Sequence, residues 1–287
     1  MTEFLQTTIF ALATAGVVAV GAVGLTLSYG VTRFINFSYG DLLTWGAFLA
    51  YALVMGANLP LTVAALAAAG LVGLGTIVIA RLAFDPLRPR GPVPLLITSV
   101  GVAFVLQNLA LMAFGSNPKR FPMPLLRPWQ LGDLFIPPAQ VLILGVSIVV
   151  MVSVHLLLKH TTLGKMMRAT SDNEDLARVS GVRARRVIAL TWGISGTIAG
   201  LAGVLLAVTQ VTIQPTMGWT FLLVIFAATL LGGIGRPYGA MLGALIVGIG
   251  VEFGTTYLAP NYGFAVAFAI LVGVLLIRPE GLRGGIV

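Results

Sequence analysis

Nine apolar stretches, at about residues 7–29, 41–57, 59–80, 92–114, 139–158, 187–208, 218–231, 238–256 and 263–277, take up most of this 287-residue sequence. A helix rises 1.5 Å per residue, so roughly 17 to 23 apolar residues suffice to cross a hydrocarbon layer about 30 Å thick. Lipid offers backbone amides no hydrogen-bond partner, so stretches that enter it must be helical. Composition agrees, with 58% hydrophobic and 9% charged residues, whereas soluble domains carry about 25% charged residues. The expected fold is all-α, a polytopic transmembrane helical bundle of about eight to ten membrane segments. The segments at 41–57 and 218–231 are short enough to be tilted, half-inserted or broken. Spans and short connections exhaust the chain, so residues 1–287 read as a single transmembrane domain.

Charge orients this bundle. Placing the N-terminus outside puts fourteen of the seventeen Lys and Arg residues on the inner side: Arg33; Arg81, Arg88 and Arg90; seven between Lys159 and Arg186; Arg236; and Arg278 with Arg283. Only Lys119, Arg120 and Arg127 remain outside. The positive-inside rule therefore predicts an outer N-terminus and a cytosolic C-terminus. A net charge of +8 distributed between spans is not a nucleic-acid surface, which needs its basic residues gathered on a solvated face. Met1 to Gln6 carries Glu3 and no Lys or Arg, unlike the basic start of a cleavable signal, so the first apolar run is expected to be retained.

Residues 115–138 contain Pro118, Pro122, Pro124, Pro128, Pro137 and Pro138, which forbid a regular helix and predict an ordered extracytoplasmic loop that could dock an external partner. Glycines at four-residue spacing, Gly196 with Gly200 and Gly235 with Gly239 and Gly243, predict close helix packing. The similar turns Ser38-Tyr39-Gly40 and Pro237-Tyr238-Gly239 suggest an internal duplication.

Catalytic chemistry has little to stand on. The chain has no cysteine and only two histidines, His155 and His160, too few for a metal centre. Gly193-Ile194-Ser195-Gly196 reads as the GxSG of intramembrane serine proteases, but such a serine needs a histidine base, and none follows His160. The only Gly-Lys pair, Gly164-Lys165, lacks the rest of a phosphate-binding loop. An ion-coupled carrier would bury several ionisable groups along its path. Here only Glu252 lies well inside a span, with Asp41 near a boundary. No catalytic or metal-ligating residue is expected.

The cytosolic stretch 159–186 is the informative one. Ser171-Asp172-Asn173-Glu174-Asp175 supplies capping residues and first-turn acids, and Gly181 closes the run ahead of Arg183, Arg185 and Arg186. Acids at a helix N-terminus and a left-handed glycine at its end predict a short helix lying outside the membrane.

Asp175-Leu176-Ala177 followed by Gly181 resembles the EAA motif of ABC importer permeases, the coupling helix docked on the ATPase, with Asp in place of Glu and Leu in place of the first Ala. The surrounding sequence resembles the high-affinity branched-chain amino acid permease family. The segments that carry this are Gly30-Val31-Thr32-Arg33-Phe34-Ile35-Asn36-Phe37-Ser38-Tyr39-Gly40-Asp41, Arg81-Leu82-Ala83-Phe84-Asp85-Pro86-Leu87-Arg88, Gln107-Asn108, Arg186-Val187-Ile188-Ala189-Leu190-Thr191, Leu231-Gly232-Gly233-Ile234-Gly235 with Gly239-Ala240-Met241, and Arg278-Pro279-Glu280-Gly281-Leu282. They run in family order across almost the whole chain.

The resemblance implies a permease subunit in a bacterial or archaeal cytoplasmic membrane. Its partners would be a second homologous permease, two ATP-binding subunits and a periplasmic or lipid-anchored substrate-binding protein, with membrane lipids around it. ATP and Mg would be held by the ATPases and no cofactor by this chain. Coupling would rest on Asp175, Ala177 and Gly181, with Ala177 as a small docking face. Asn36, Gln107, Asn108 and Glu252 are pathway candidates, since uncharged amides can hydrogen-bond a zwitterion without a buried fixed charge. The alternative is a secondary carrier or channel that works without an ATPase.

Overall fold

A computed structural model describes residues 2–123, 127–132, 134–259 and 262–277. Its elements follow the apolar pattern closely. They are α1 (Thr2–Thr32), α2 (Tyr39–Ala57), α3 (Leu61–Ile79), α4 (Pro92–Phe114), α5 (Pro138–His160), α6 (Thr162–Asp172), α7 (Glu174–Val179), α8 (Ala184–Gln210), α9 (Met217–Gly232), α10 (Pro237–Tyr257) and α11 (Gly263–Ile277). Among the described residues seven helices are long and apolar enough to cross a membrane, and α9 and α11, with 16 and 15 residues, are shorter apolar helices. At 1.5 Å per residue these two reach about 22 to 24 Å.

α1 and α8 form the centre. About 72% of the apolar window of α1 and 67% of that of α8 are buried, against 22% for α4 and α5, which stand at the periphery. Lipid supplies no hydrophobic drive between helices, so close backbone approach has to hold them together. The crossing of α2 over α8 shows this: Gly46 meets Gly200, and Gly203 lies against the carbonyl of Leu43. A side chain at any of the three would overlap backbone. Gly196 and Gly200 also pack on α3, while Gly239 and Gly243 pack on α9. Gly235 departs from the expected packing role, because it lies in the turn before α10 with φ +84°.

At one end of the bundle α3 runs into a π-helical turn, Ala80–Phe84, closed by the Asp85 N–H to the Ala80 carbonyl at 2.8 Å. Phe84 stacks on Trp192 of α8 at 5.1 Å, and Phe34 closes the cluster 5.3 Å from Phe84. The opposite end is built from the proline-rich segment. There β1 (Lys119–Arg120) pairs antiparallel with β4 (Thr212–Ile213), and β2 (Trp129–Leu131) pairs with β3 (Leu134–Ile136). Gln6 of α1 clamps Phe135 through both its amide atoms, at 2.6 and 3.0 Å, and Phe121, whose N–H donates to the Val211 carbonyl at 2.8 Å, is buried. Among the described residues of this segment, Trp129 and Phe135 are exposed.

Both Tyr-Gly turns open helices, α2 and α10, and both glycines pack against a glycine of α9, Gly40 on Gly218 and Gly239 on Gly232. The likeness ends there, since Tyr39 is fully buried and Tyr238 is 39% exposed. Ser195 donates to the Gly24 carbonyl at 2.7 Å, so the GxSG serine ties α8 to α1.

Candidate functional site

The chain between α5 and α8 forms the short helix expected, α7, and adds a second one, α6, before it. The break between them falls at Asn173. Thr161 caps α6 by accepting from the Gly164 N–H at 3.0 Å, and the amphipathic set Leu163, Met166, Met167 and Thr170 turns toward the bundle, with Met167 and Thr170 buried. That i, i+3, i+4, i+7 spacing was the available signal for α6. Asn173, in an extended conformation, ends α6 and caps α7, its Oδ1 accepting from the N–H groups of Asp175 and Leu176, each at 3.0 Å.

Gly181 ends α7 as the sequence predicts. Its φ is +87°, its N–H donates to the Arg178 carbonyl at 3.0 Å, and the Val182 N–H donates to the Ala177 carbonyl at 2.9 Å. The pair of bonds is a Schellman motif, which a left-handed residue makes accessible at the position after the cap.

The expectation for Ala177 is corrected by its orientation. Ala177 is 4% exposed and faces the bundle, so its small size lets α7 lie close to the rest of the protein instead of offering a docking face. The side chains that do point away are Leu176 and Val179, 66% and 88% exposed, beside exposed Asp175. No described residue covers these two apolar side chains.

What pins α7 is Glu174, expected only as a first-turn acid. It pairs with Arg88 at 2.6 Å, across to the 3₁₀ turn Arg88–Arg90 after α3, and also with Arg178 one turn along. A pair separated by 86 residues carries no local signal. The guanidinium of Arg33 donates to the Ser171 carbonyl, and the Ser171 hydroxyl donates to that of Gly30 at 2.5 Å, so α6 is tied to the end of α1. Any movement of α6 and α7 is thereby linked to α1 and to the turn after α3.

The pathway candidates are not brought together. Asn36 lies between α1 and α2, where Arg33 takes a left-handed φ of +58° and the backbone leaves the helix. The Phe37 N–H donates to Ser99 Oγ at 3.1 Å, seven residues into α4, so this break sits about 10 Å inside the bundle. Irregular backbone at membrane depth is tolerated only when enclosed by protein. Accordingly Asn36, Ser38, Tyr39 and Asp41 are all 2% exposed or less. Asn36 Oδ1 accepts from the Ser38 N–H at 3.0 Å and the Ser38 hydroxyl at 2.7 Å, so Asn36 builds the turn.

The first turns of α2 and α9 meet beside this break. Gly40 touches Gly218, and Thr44 Oγ1 accepts from the Gly218 N–H at 3.0 Å. Asp41, with neither carboxylate oxygen hydrogen-bonded to any described side chain or backbone group, stands in the first turn of α2 where two positive helix ends come together. The short segments flagged in the sequence are therefore two helices that start within the protein.

Gln107 and Asn108 lie eight and nine residues beyond Ser99, roughly 12 to 14 Å further along α4. Gln107 is half-buried, whereas Asn108 is exposed and donates to the Phe104 carbonyl at 2.8 Å. Phe104 stacks on Trp219 of α9 at 6.3 Å, and Phe37 is 6.4 Å from Trp219, so a polar and aromatic face spans α4 and α9. Glu252 is remote from it. It accepts from the Thr14 hydroxyl at 2.7 Å and borders, with Glu3 and Gln6, a cavity between α1 and α10. The segment Arg278–Leu282, which carried part of the resemblance, and Arg283 lie outside the described residues.

The basic residues do converge. Arg33, Arg88 and Arg168 gather around α6 and α7, Arg81, Arg185 and Arg186 line one groove, and Arg236 borders a cavity shared with α6. Lys119 and Arg120 sit at the other end, in the strand pair with β4.

Comparisons with known proteins agree with this architecture. The family described as "Branched-chain amino acid transport system / permease component" matches residues 7–275. The high-affinity branched-chain amino acid transport system permease protein BraD of Pseudomonas aeruginosa is 32% identical, over 98% of this chain and 96% of its own. The corresponding protein LivH of Escherichia coli is 32% identical, over 92% and 90%. The ribose import permease protein RbsC of Escherichia coli is 29% identical, over 80% and 72%. Among solved structures, PsaBC from Streptococcus pneumoniae in complex with Fab superposes with a TM-score of 0.52 at 16% identity, covering 96% of this chain and 92% of that one, a likeness of fold.

Proposed function

This chain belongs to the family of branched-chain amino acid transport system permease components, and on that premise we propose that it is the membrane subunit of an ATP-driven importer in the bacterial or archaeal cytoplasmic membrane. Its N-terminus faces outward and α6 and α7 face the cytosol, in keeping with the basic residues collected at their end of the bundle. Two ATPase subunits that bind ATP and Mg sit beneath α7. A homologous permease stands beside this chain, and a substrate-binding protein approaches the end of the bundle that presents Trp129 and Phe135.

The observation that carries the reading is the exposed pair Leu176 and Val179 on a helix fixed at both ends, by Asn173 and Gly181. A rigid helix with an apolar tip suits insertion into a groove of another protein. When the ATPases close on ATP, α7 moves as a body. The Glu174–Arg88 and Arg33–Ser171 contacts pass that movement to α1 and α3. This chain performs no bond chemistry of its own; it transmits force.

The pathway lies along the face shared by α4 and α9, at the junction with the second permease. The exposed carboxamide of Asn108 would be costly against lipid. The neighbouring Phe104, Trp219 and Phe37 give a branched apolar side chain a surface to slide on. Branched-chain amino acids are the favoured substrates, because the relatives covering at least nine-tenths of this chain carry that name and the ribose permease covers less of it.

Uptake of labelled leucine, urea and short amides by the complex reconstituted in liposomes tests this reading. Leucine uptake should require ATP inside the vesicle compartment that holds the ATPases. Uptake by this chain alone, without ATPases, would show a secondary carrier or channel instead.

A further inference from the structure

Where α3 ends and α8 begins, the two helices leave between them a groove of about 510 Å³. We propose that this groove holds the headgroup of an anionic glycerophospholipid.

The groove is closed at its inner end by backbone contact. Gly193 of α8 lies against Ile77, and Gly196 against Gly73 and Thr76, so a Cβ at either glycine of α8 would overlap α3. Past that contact α3 gives way to the π-helical turn Ala80–Phe84, and α8 reaches its first residues. Arg81 lines one wall of the groove, and Arg185 and Arg186 line the other.

These three guanidiniums are unpaired. None of them makes a hydrogen bond, ion pair or ring contact with a described residue. At the same end of the bundle Arg33, Arg88, Arg168 and Arg178 are each bonded to a carbonyl or a carboxylate. One carboxylate, Asp85, borders the groove, also without an ion pair among the described residues, so three positive charges stand against one negative. Arg185 and Arg186 occupy the first turn of α8, where the positive end of the helix already opposes them, so the charges do not serve the helix itself. An anion held between them and Arg81 relieves that repulsion. A phosphodiester suits the place, because its two free oxygens accept from guanidinium forks in pairs.

The lining of the groove selects a lipid over a soluble phosphate. Leu61–Phe84 and Ala184–Gln210 are both apolar enough to cross a membrane, so the three arginines stand at the ends of crossing segments. On each wall an apolar residue follows the charge one turn deeper, Ile77 four residues before Arg81 and Leu190 four residues after Arg186, about 6 Å inward. Leu74 and Val78, spaced four residues apart, carry exposed apolar surface further along α3. Acyl chains follow that surface while the phosphate stays at the guanidiniums, the arrangement in which basic pockets between helices bind anionic headgroups. An acidic protein surface could meet the arginines but would leave the apolar wall below them uncovered.

The test uses the full-length protein in neutral detergent with added phosphatidylglycerol, phosphatidylcholine or phosphatidylethanolamine. Retained lipid is counted by native mass spectrometry, and thermal melting is followed in parallel. Phosphatidylglycerol should be retained in preference to both other lipids. Arg81→Gln and Arg186→Gln should each lower that retention about fivefold, with melting in phosphatidylcholine unchanged. Lys165→Gln, which removes the same charge from an exposed position of α6 at the same end of the bundle, should leave retention as it is. Equal retention of the three lipids, or an equal loss in Lys165→Gln, would overturn the proposal. Displacement of lipid by millimolar glycerol phosphate would make the ligand a soluble anion and overturn the lipid assignment. Release of the lipid when ATPase subunits are added, with Arg81→Gln weakening that assembly, would give the groove to a protein partner and overturn it equally.

Discussion

Two short turns in this protein use the same local chemistry to opposite ends. Before α2, Asn36 Oδ1 accepts from Ser38, and an acid, Asp41, follows in the first turn. Before α7, Asn173 Oδ1 accepts from Asp175 and Leu176, and two acids stand in the first turn. The first turn is sealed in the bundle, with Asn36 at 2% exposure, and the second is open, with Val179 at 88%. In the first, asparagine lets the backbone leave a helix inside the protein without stranding the Ser38 groups. In the second, it stiffens a segment that outside matter can grasp. The local code states that a helix begins; burial decides what the helix is for.

Substitutions can break this contrast. The largest effect is expected at the buried junction, where Gly218→Val would drive a branched side chain into the Gly40 carbonyl. Overpacking on backbone costs about 3 kcal/mol or more, so the variant should lose its monodisperse peak on size exclusion and its cooperative melt. Next comes Asn36→Ala, which leaves the buried Ser38 N–H and hydroxyl without their acceptor. A penalty of about 1 to 3 kcal/mol should lower the melting temperature. Asn173→Ala removes a comparable pair of bonds at an exposed site. It should cost about 1 kcal/mol locally, leave global melting unchanged, and reduce ATP-driven uptake as α7 frays. Equal melting shifts in Asn36→Ala and Asn173→Ala would erase the distinction. The smallest effect belongs to Glu174→Gln, which opens the partly exposed pair with Arg88. A loss within about 1 kcal/mol should appear as slightly weaker uptake whose salt dependence has diminished.

The spans were legible because lipid allows no alternative to the helix. The sequence placed α4 at 92–114 and the structure has Pro92–Phe114. The end of α7 was equally legible, since a glycine before a basic run is a strong stop and Gly181 does adopt φ +87°. Three things were not. The orientation of Ala177 depends on which face of α7 the bundle covers, and a six-residue helix offers too few turns to declare one. The Glu174–Arg88 pair joins residues that only the fold makes neighbours. The depth of the Asn36 turn follows from its bond to Ser99 on another helix, whereas the sequence shows only that 41–57 is short. The pathway residues stay scattered for the same reason, because half of that face belongs to another chain in the proposed assembly.

In the proposed assembly α7 is the handle an ATPase takes. Replacing both outward apolar side chains, Leu176→Ser with Val179→Ser, touches nothing buried, so insertion and melting should match the parent protein. ATP-dependent leucine uptake by the reconstituted complex should fall at least tenfold, on the order of a fully buried interface anchor lost. Uptake at the parental rate from the same amount of assembled protein would contradict it.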